Sequence, residues 1–263
     1  MADKKRVLIT GGAGLIGSIL REHLSDRFEL TSLDRVEVPG AKSFAGDISE
    51  FDQIRPAFEG QDAVVHLAAD PNARGEWDTN LKNNFIGTYN VFEAARQAGV
   101  KRVVFASSNH ATGGYYLDAP WKHIVAGEFD KVERPYTLVD ESMRIRPDGY
   151  YGTAKAYGEA LGSYYLDYHG VQSIHLRIGW VMRGNDPTFA PFALALWLSY
   201  RDAAQIVQKA VDAPATLPYA IVYATSDNRW KIFSLDNARK LLGYQPQDGA
   251  GEKWTPRPAP ARR

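Results

Sequence analysis

Short apolar runs alternate with longer amphipathic segments along the first two-thirds of the chain. The runs are rich in Val, Ile and Leu and predict buried strands near residues 5–10, 29–34, 42–46, 62–67, 101–107 and 172–177. The segments between them have apolar residues at helical spacing and predict helices near residues 14–25, 50–59, 76–98 and 150–169. Such alternation is typical of an α/β protein, so we predict a Rossmann-type, doubly wound parallel sheet with helices on both faces.

The pattern loosens after Arg177. The elements that remain are a helix near residues 200–212, a strand near 219–224 and a helix near 234–242. These are too few to enclose a core of their own. We therefore predict a Rossmann domain over residues 1–177, a small substrate-binding lobe over residues 178–248 and a mobile tail, rich in Pro, Ala, Gly and Arg, over residues 249–263.

A glycine cluster separates the first predicted strand from the first helix. The motif TGGAGLIG at residues 10–17 fits both G-x-G-x-x-G and G-x-x-G-x-x-G, with glycines at Gly11, Gly12, Gly14 and Gly17. Glycine lets the backbone turn tightly and approach a pyrophosphate. The helix N-terminus that follows, at Leu15 and Ile16, offers free N–H groups and a partial positive charge. A tight strand-to-helix turn without a ligand would explain the same residues.

The second predicted strand ends at an acidic residue. Asp34 lies 20 residues beyond Gly14, where an acid is expected to accept hydrogen bonds from ribose hydroxyl groups. Its charge would repel a 2′-phosphate, so the sequence favours NAD over NADP as the cofactor. Arg35 follows directly and would partly offset this preference.

Composition excludes several classes of function. The 263 residues carry a formal net charge of zero, so no strong basic field would attract nucleic acid. There are no cysteines, which rules out disulfides and thiolate metal sites and agrees with a cytoplasmic location. The sequence predicts no secretory signal or transmembrane segment, and we expect neither a metal site nor a membrane or nucleic-acid partner.

A phenol and an ammonium group lie four residues apart on the long helix predicted near residues 150–169. Tyr151 and Lys155 would therefore share one helix face. A free phenol has a pKa of about 10, and a nearby cation favours the phenolate, which makes Tyr151 a usable general base. Ser108, at the end of the fifth strand, would bind and orient the reacting hydroxyl group. The alternative is a core tyrosine beside an exposed lysine.

The chain resembles the extended short-chain dehydrogenase/reductases, also called the NAD-dependent epimerase/dehydratase family. The resemblance covers residues 5 to about 245. Besides the features above, it rests on Gly46-Asp47-Ile48, His66-Leu67-Ala68-Ala69, Asn84 with Gly87-Thr88, and Leu176-Arg177-Ile178-Gly179. ASSNH at 106–110 and RPDGYYGTAKAYGE at 146–159 are similar to segments of uronate dehydrogenases and of haloarchaeal NAD-dependent glucose-6-phosphate dehydrogenases. HLAADPNARGEWDTNLKNN at 66–84 and SDNRWKIFS at 226–234 are more similar to the second group.

The resemblance implies cofactor contacts beyond the glycine turn. Asp47 would bind the adenine, and Asn84 would help to hold an active-site water or Lys155. Tyr151 and Lys155 would contact the cofactor as well as act in catalysis. The other residues expected to contact NAD belong to the glycine turn, to strand ends and to the loops after them: Gly11, Gly14, Leu15, Ile16, Gly17, Asp34, Arg35, Ile48, Leu67, Ala68, Ala69 and Ile178.

Substrate contacts are expected at the same edge of the sheet, beside Ser108. The resemblance implies that Asn109 and His110 contact sugar hydroxyl groups, although a strand-end histidine is often a structural residue. Arg177 would grip a carboxylate or phosphate with two hydrogen bonds, or else form a salt bridge beneath the site. Weaker candidates, each alternatively a solvated loop or helix residue, are Asn72, Arg74 and Lys82.

Three further features have a structural interpretation beside a functional one. His66 ends an apolar strand and is predicted to be structural. Trp121 and His123 lie in the long segment 113–148, which is either a lid or a packed loop. In relatives, the helices placed here at 76–98 and 150–169 form a dimeric four-helix bundle. The small residues that would permit such a homodimer, or alternatively close core packing, are Ala94, Ala95, Ala154, Gly158 and Ala160.

The sequence as a whole predicts an NAD-dependent sugar dehydrogenase. It would oxidise C1 of an acidic aldohexose, either glucose 6-phosphate or a hexuronate, to the lactone, with Arg177 or Arg74 at the acidic group. An NDP-sugar epimerase or dehydratase is the first alternative, but it needs a larger C-terminal lobe, and only 86 residues follow Arg177. A non-catalytic NAD-binding regulator is the second, and such proteins often lack the catalytic Tyr or Lys.

Overall fold

A seven-stranded, fully parallel sheet forms the centre of the molecule, which we describe from a computed structural model over residues 4–259. The strand order is β3-β2-β1-β4-β5-β6-β7. The strands are β1 (Arg6–Thr10), β2 (Glu29–Asp34), β3 (Lys42–Ala45), β4 (Ala63–His66), β5 (Arg102–Ser108), β6 (Gln172–Ile178) and β7 (Tyr219–Ala224). This arrangement confirms the predicted Rossmann-type sheet, with each predicted strand within two residues of its expected bounds.

Helices connect the strands. They are α1 (Leu15–Leu24), α2 (Phe51–Ile54), α3 (Trp77–Asn80), α4 (Gly87–Gln97), α5 (Trp121–Ala126), α6 (Tyr150–His169), α7 (Pro191–Leu196), α8 (Tyr200–Asp212) and α9 (Asp236–Leu242). Short 3-10 segments cover Arg55–Phe58, Asn109–Leu117, Phe129–Lys131 and Arg183–Asn185. The single helix predicted over 76–98 is continuous but wider in its middle, because Leu81–Ile86 is a π-helix between α3 and α4.

The central strands are apolar on both faces because helices cover both. In β1, Val7 and Ile9 belong to one buried cluster, and Leu8 belongs to the cluster on the opposite face, as the alternation of side chains along a strand requires. Every residue of β4 and β5 is buried. The chain leaves β1 toward β2 on one side and returns to β4 on the other, and this reversal opens a crevice at the carboxyl ends of the strands.

The region after Arg177 is joined to the sheet more closely than its weak pattern suggested. β7 pairs in parallel with β6 over residues 173–178 and 219–224. Its buried residues share one core cluster with those of β1 and β5. A smaller buried cluster in this region is formed by Met182, Phe189, Ala193, Leu194, Trp197 and Ala250. Part of the lobe predicted over residues 178–248 thus extends the sheet, and the boundary at 177 stays a prediction.

The chain after Gly249 makes specific contacts over residues 249–259, where the structure describes it, and the mobility of this tail stays a prediction. Ala250 N–H donates to Asn228 Oδ1 over 3.0 Å, and Thr255 N–H donates to the Thr188 carbonyl over 2.9 Å. Arg257 forms an ion pair with Asp186. These contacts are made by backbone groups and single charges, so no apolar period in the sequence predicts them. Residues 260–263 of the predicted tail lie outside the described residues.

The long segment 113–148 is packed against the rest of the molecule. Trp121, Ile124 and Val139 are buried members of the main core. Val139 also forms a backbone bridge with Phe233, beside α9. His123 pairs with Glu128 inside the segment. Of the two interpretations offered by the sequence, the structure supports a packed loop.

Candidate functional site

The glycine turn after β1 has the space that a dinucleotide needs. Gly11 has a φ of +75°, and a Cβ there would lie 2.8 Å from the Ala68 amide nitrogen. A Cβ at Gly17 would lie 2.5 Å from the Gly11 carbonyl oxygen, so α1 packs directly on the turn. No side chain caps the N-terminus of α1, which leaves its first N–H groups free for a phosphate. The turn therefore fits the pyrophosphate of NAD.

Asp34, at the end of β2, lies beside this turn. Asp34 Oδ2 accepts a hydrogen bond from Ala13 N–H over 2.9 Å, and Oδ1 accepts from Arg35 N–H over 2.7 Å. These two bonds fix the carboxylate beside the turn, at the place where the sequence predicts ribose binding. Asp47, after β3, accepts from the backbone and the hydroxyl group of Ser49. The backbone hydrogen bond, together with weaker attraction to nearby cations, holds the pKa of Asp47 below its usual range.

A cleft of about 1430 Å³ extends from this turn across the carboxyl ends of the strands. Nearly all residues predicted for cofactor or substrate line it. At the cofactor end these are Gly11, Gly14, Leu15, Ile16, Gly17, Asp34, Arg35, Asp47, Ile48, Leu67, Ala68 and Ala69. Toward the other end they are Asn72, Arg74, Ser108, Asn109, His110, Tyr151, Lys155 and Ile178. The structure brings these residues into one cavity, and their individual contacts with ligands stay predictions.

Tyr151 and Lys155 lie on the first turns of α6 and face the cleft together. The Lys155 ammonium lies 5.4 Å from the centre of the Tyr151 ring and 5.0 Å from that of Phe105. Lys155 is 4% exposed and makes no hydrogen bond or ion pair within residues 4–259. Burial lowers the pKa of Lys155 to about 7. A buried cation without a counter-charge, facing a cleft, fits the ribose hydroxyls and phosphates of a bound dinucleotide.

This burial predicts an unusual effect of removing Lys155. Lys155→Met should unfold at a higher temperature than the wild type at pH 6, because the folded protein no longer has to bury an unpaired charge. The pKa is 10.5 in the unfolded chain and about 7 when folded, so the cost is complete below pH 7 and disappears as pH rises toward 10.5. At about 1.4 kcal/mol per pKa unit, the gain is on the order of a few kcal/mol.

Thermal unfolding of both proteins between pH 6 and pH 10 measures the gain. The exposed Lys101→Met is the control and should leave the unfolding temperature nearly unchanged. A Lys155→Met gain that did not shrink with rising pH would show that the charge of Lys155 is not its source.

Ser108 is oriented by its neighbours on the chain. Its hydroxyl donates to Asn109 Oδ1 over 3.0 Å and accepts from His110 N–H over 3.2 Å. Asn109 is buried, and its amide nitrogen donates to the Tyr116 hydroxyl over 2.8 Å. Asn109 thus orients the Ser108 hydroxyl group. Each bond uses one of the two positions on the amide oxygen or nitrogen, so the contact of Asn109 with sugar hydroxyls stays a prediction.

Arg177 does not reach the cleft, which corrects its prediction as a substrate anchor. It is 1% exposed, and its Nε and Nη2 donate to the two carboxylate oxygens of Glu159 over 2.9 and 2.8 Å. Burial opposes the charge of Arg177, but the hydrogen bonds and attraction of Glu159 outweigh it and raise its pKa. The salt bridge beneath the site, the alternative interpretation from the sequence, is the one that the structure shows.

Asn84 and Lys82 also lie outside the cleft lining. Asn84 exchanges hydrogen bonds with the backbone of Asp70 over 2.8 and 3.0 Å and so anchors the loop after β4, rather than Lys155. Lys82 lies near Asp47, with its Nζ 3.8 Å from Oδ2. It therefore belongs to the cofactor end and cannot serve as a substrate contact beside Ser108.

His66 is structural, as predicted. Its Nδ1 lies 2.8 Å from the Thr10 hydroxyl, and this hydroxyl accepts from Ala68 N–H over 3.2 Å. Burial, and to a smaller extent Lys155, lower the pKa of His66 to about 3, so its ring is neutral.

The far end of the cleft includes residues that sequence reasoning missed. Asp148 lies just before α6, and its carboxylate oxygens lie 3.0 and 2.8 Å from His110 Nδ1. An apolar wall with one cation follows β6 and consists of Trp180, Val181, Met182, Arg183, Phe192 and Leu196. Asp148 could have been noticed from its place three residues before Tyr151. The wall had no sequence signal because its residues are drawn from a loop and a short helix.

No helix within residues 4–259 is both long enough and apolar enough to cross a membrane. No group of three or more His, Asp or Glu side chains in the same residues is arranged to hold a metal ion.

The fold and the cleft together define a Rossmann-type, dinucleotide-binding protein with a tyrosine and a lysine at its active edge. The chain belongs to the NAD dependent epimerase/dehydratase family, whose model matches residues 7–185. This membership confirms the predicted family and NAD as the cofactor.

Three comparisons narrow the resemblance. An NAD-dependent glucose-6-phosphate dehydrogenase of Haloferax volcanii is 37% identical over 94% of this chain and 94% of its own. An L-arabinose 1-dehydrogenase (NAD(P)(+)) of the same organism is 37% identical over 93% of this chain and 97% of its own. The crystal structure of a glucuronic acid dehydrogenase from Chromohalobacter salexigens matches with a TM-score of 0.78 and 31% identity, over 93% of this chain and 85% of its own.

Proposed function

We propose that this protein is an NAD-dependent sugar dehydrogenase that oxidises C1 of an acidic aldohexose to the lactone. The observation that carries the proposal is the meeting of Ser108, Tyr151 and the unpaired Lys155 in the cleft that begins at the glycine turn. The similar proteins support it, since their names describe dehydrogenases of glucose 6-phosphate, L-arabinose and glucuronic acid.

Different residues of the cleft would have different roles in this reaction. Bound NAD supplies the hydride acceptor. Ser108, already oriented by Asn109 and His110, would bind the reacting hydroxyl group, and Tyr151 would take its proton. The Lys155 cation has no acidic partner to neutralise it, so its charge is available to favour the phenolate of Tyr151 and to hold the cofactor. Asp34 and the turn at Gly11 would hold the other end of NAD.

The acidic group of the substrate needs a cation other than the buried Arg177. Arg74 and Arg183 both line the cleft, and they follow β4 and β6, respectively, along the chain. We assign the acidic group to Arg74, the candidate that the sequence already offered, with Arg183 as the second. Because an L-arabinose 1-dehydrogenase is among the similar proteins, we take a neutral sugar as the competing substrate class.

A screen of NADH absorbance decides between these substrates. We expect glucose 6-phosphate or a hexuronate to exceed glucose and L-arabinose in kcat/KM by about 10- to 150-fold, the range of a charge-assisted hydrogen bond. Arg74→Ala should remove most of this preference, and Arg201→Ala, which breaks a surface pair with Asp248, should not. Equal rates on acidic and neutral sugars would defeat anion recognition. An epimerase, tested with UDP-glucose, would give no net NADH.

Cofactor preference provides a separate prediction. Asp34→Ala should weaken NAD binding by about 10-fold or more, because a charged hydrogen-bond acceptor for the ribose is lost. It should also narrow the ratio of kcat/KM for NAD over NADP, since repulsion of the 2′-phosphate is lost with it. Asp26→Ala, an exposed acid just after α1, is the control. An unchanged ratio in Asp34→Ala would show that another residue selects the cofactor.

The proposed assembly is a homodimer, and the proposed location is the cytoplasm. Four of the five small residues expected to allow helix packing between subunits are buried within the chain: Ala94, Ala95, Ala154 and Gly158. Exposed aromatic side chains on the same helices, Trp77, Tyr89, Tyr164 and Tyr168, support a partner surface instead. Light scattering of the wild type and of Tyr168→Glu would test the dimer.

A further inference from the structure

The Asp148–His110 pair joins the two elements that carry the catalytic groups. His110 follows β5 directly after Ser108, and Asp148 lies just before α6, which carries Tyr151. The carboxylate oxygens lie 3.0 and 2.8 Å from His110 Nδ1, so the two residues share a close contact at both oxygens. The pair therefore sits within the proposed active site, although only its histidine was predicted.

The Asp148 carboxylate packs closely against Gly113, where no side chain is present. A Cβ at Gly113 would lie 2.1 Å from Asp148 Oδ2, a separation that real Cβ atoms do not show. Any residue larger than glycine at position 113 would therefore push Asp148 away from His110. The close fit indicates that packing against Gly113, as well as the contact with His110, fixes the position of Asp148.

The second ring nitrogen of His110 is not used in its contact with Asp148. The His110 ring stands at 77° to the Tyr151 ring, with 5.6 Å between their centres, and His110 lines the cleft. Its Nε2 has no hydrogen bond among the described residues and is not among their buried unpaired atoms. A carboxylate can only accept hydrogen bonds, so of the two neutral ring forms it selects the one that carries the proton on Nδ1 and leaves Nε2 as an acceptor.

We propose that Asp148 is a positioning residue that fixes His110 as a hydrogen-bond acceptor for a sugar hydroxyl group beside the reacting carbon. This inference rests on the proposed sugar dehydrogenase function. Without the carboxylate, the ring can carry its proton on Nε2 and becomes a donor, so the hydroxyl group loses its acceptor. Sugar binding and turnover should therefore both decrease. NAD binding should not change, because the glycine turn proposed to bind NAD lies at the other end of the cleft.

A double-mutant cycle tests whether Asp148 acts through His110. Asp148→Asn should lower kcat/KM for the sugar by about 10- to 150-fold, with the Kd for NAD unchanged. In a His110→Ala background, the same substitution should have little further effect on kcat/KM, because the ring through which Asp148 acts is absent. The matched control is Glu128→Gln, which disrupts a similar pair, 2.7 Å from His123 Nδ1, outside the cleft. It should leave kcat/KM unchanged.

Nitrogen-15 chemical shifts of the histidine rings measure the tautomer without any turnover. In the wild type, His110 should carry its proton on Nδ1, and in Asp148→Asn the proton should be shared between the two nitrogens. Gly113→Ala, which displaces the carboxylate without removing it, should give the same change. If the wild type oxidises no sugar but shows these shifts, the proposed function fails and the positioning role stands. An unchanged tautomer in Asp148→Asn, or an equal loss of kcat/KM in the His110→Ala background, would overturn the proposal.

Discussion

Replacing Tyr151 by Phe is expected to lower kcat by about 10² to 10⁴, the usual contribution of a general base. The substitution removes one oxygen and keeps the ring, so its contacts with His110 and Lys155 persist. The Kd for NAD should change little, because the glycine turn and Asp34 are untouched. Stopped-flow NADH formation gives kcat, and a fluorescence titration gives the affinity for NAD.

The neighbouring Tyr150→Phe is the control for this experiment. Tyr150 is 51% exposed and packs edge-on against Trp77, away from the cleft lining. It should retain the turnover of the wild type. If Tyr151→Phe also turned over normally, another group would be the base, and His110, the nearest titratable ring in the cleft, would be the first to examine.

The cofactor half of the molecule could be predicted from the sequence because its signals are local. The apolar run of β1, the glycine turn and the start of α1 are contiguous, and Asp34 ends the next strand of the chain. In a parallel sheet, strand ends on the same edge meet, so order along the chain was enough to place Asp34 and Ser108 in one cleft.

The substrate half could not be predicted to the same degree, because its contacts join distant parts of the chain. Asp148 reaches His110 across 38 positions, and the wall at Trp180 and Phe192 comes from a loop and a short helix. Arg177 shows the limit most clearly. Its place at a strand end was correct, but the direction of its side chain depends on Glu159, and no pattern in β6 reveals that partner.

The Arg177–Glu159 pair provides the second large expected effect, which is on stability. Both side chains are 2% exposed, and besides each other their hydrogen-bond partners among residues 4–259 are the neutral hydroxyl groups of Ser107 and Tyr223. Arg177→Ala would leave Glu159 charged and buried with one hydroxyl donor. Breaking a buried pair from one side costs about 3–5 kcal/mol. Urea unfolding should therefore show a loss of that size.

Removing both charges should restore most of this loss. In Arg177→Met with Glu159→Leu, no buried charge is left unpaired, and apolar replacements of a buried pair are often neutral or stabilising. The double variant should also keep the preference for acidic over neutral sugars, because neither side chain lines the cleft. The surface variant Arg201→Ala provides the baseline and should change stability little. If Arg177→Ala were as stable as the wild type and instead raised KM for the acidic sugar alone, Arg177 would be a substrate contact.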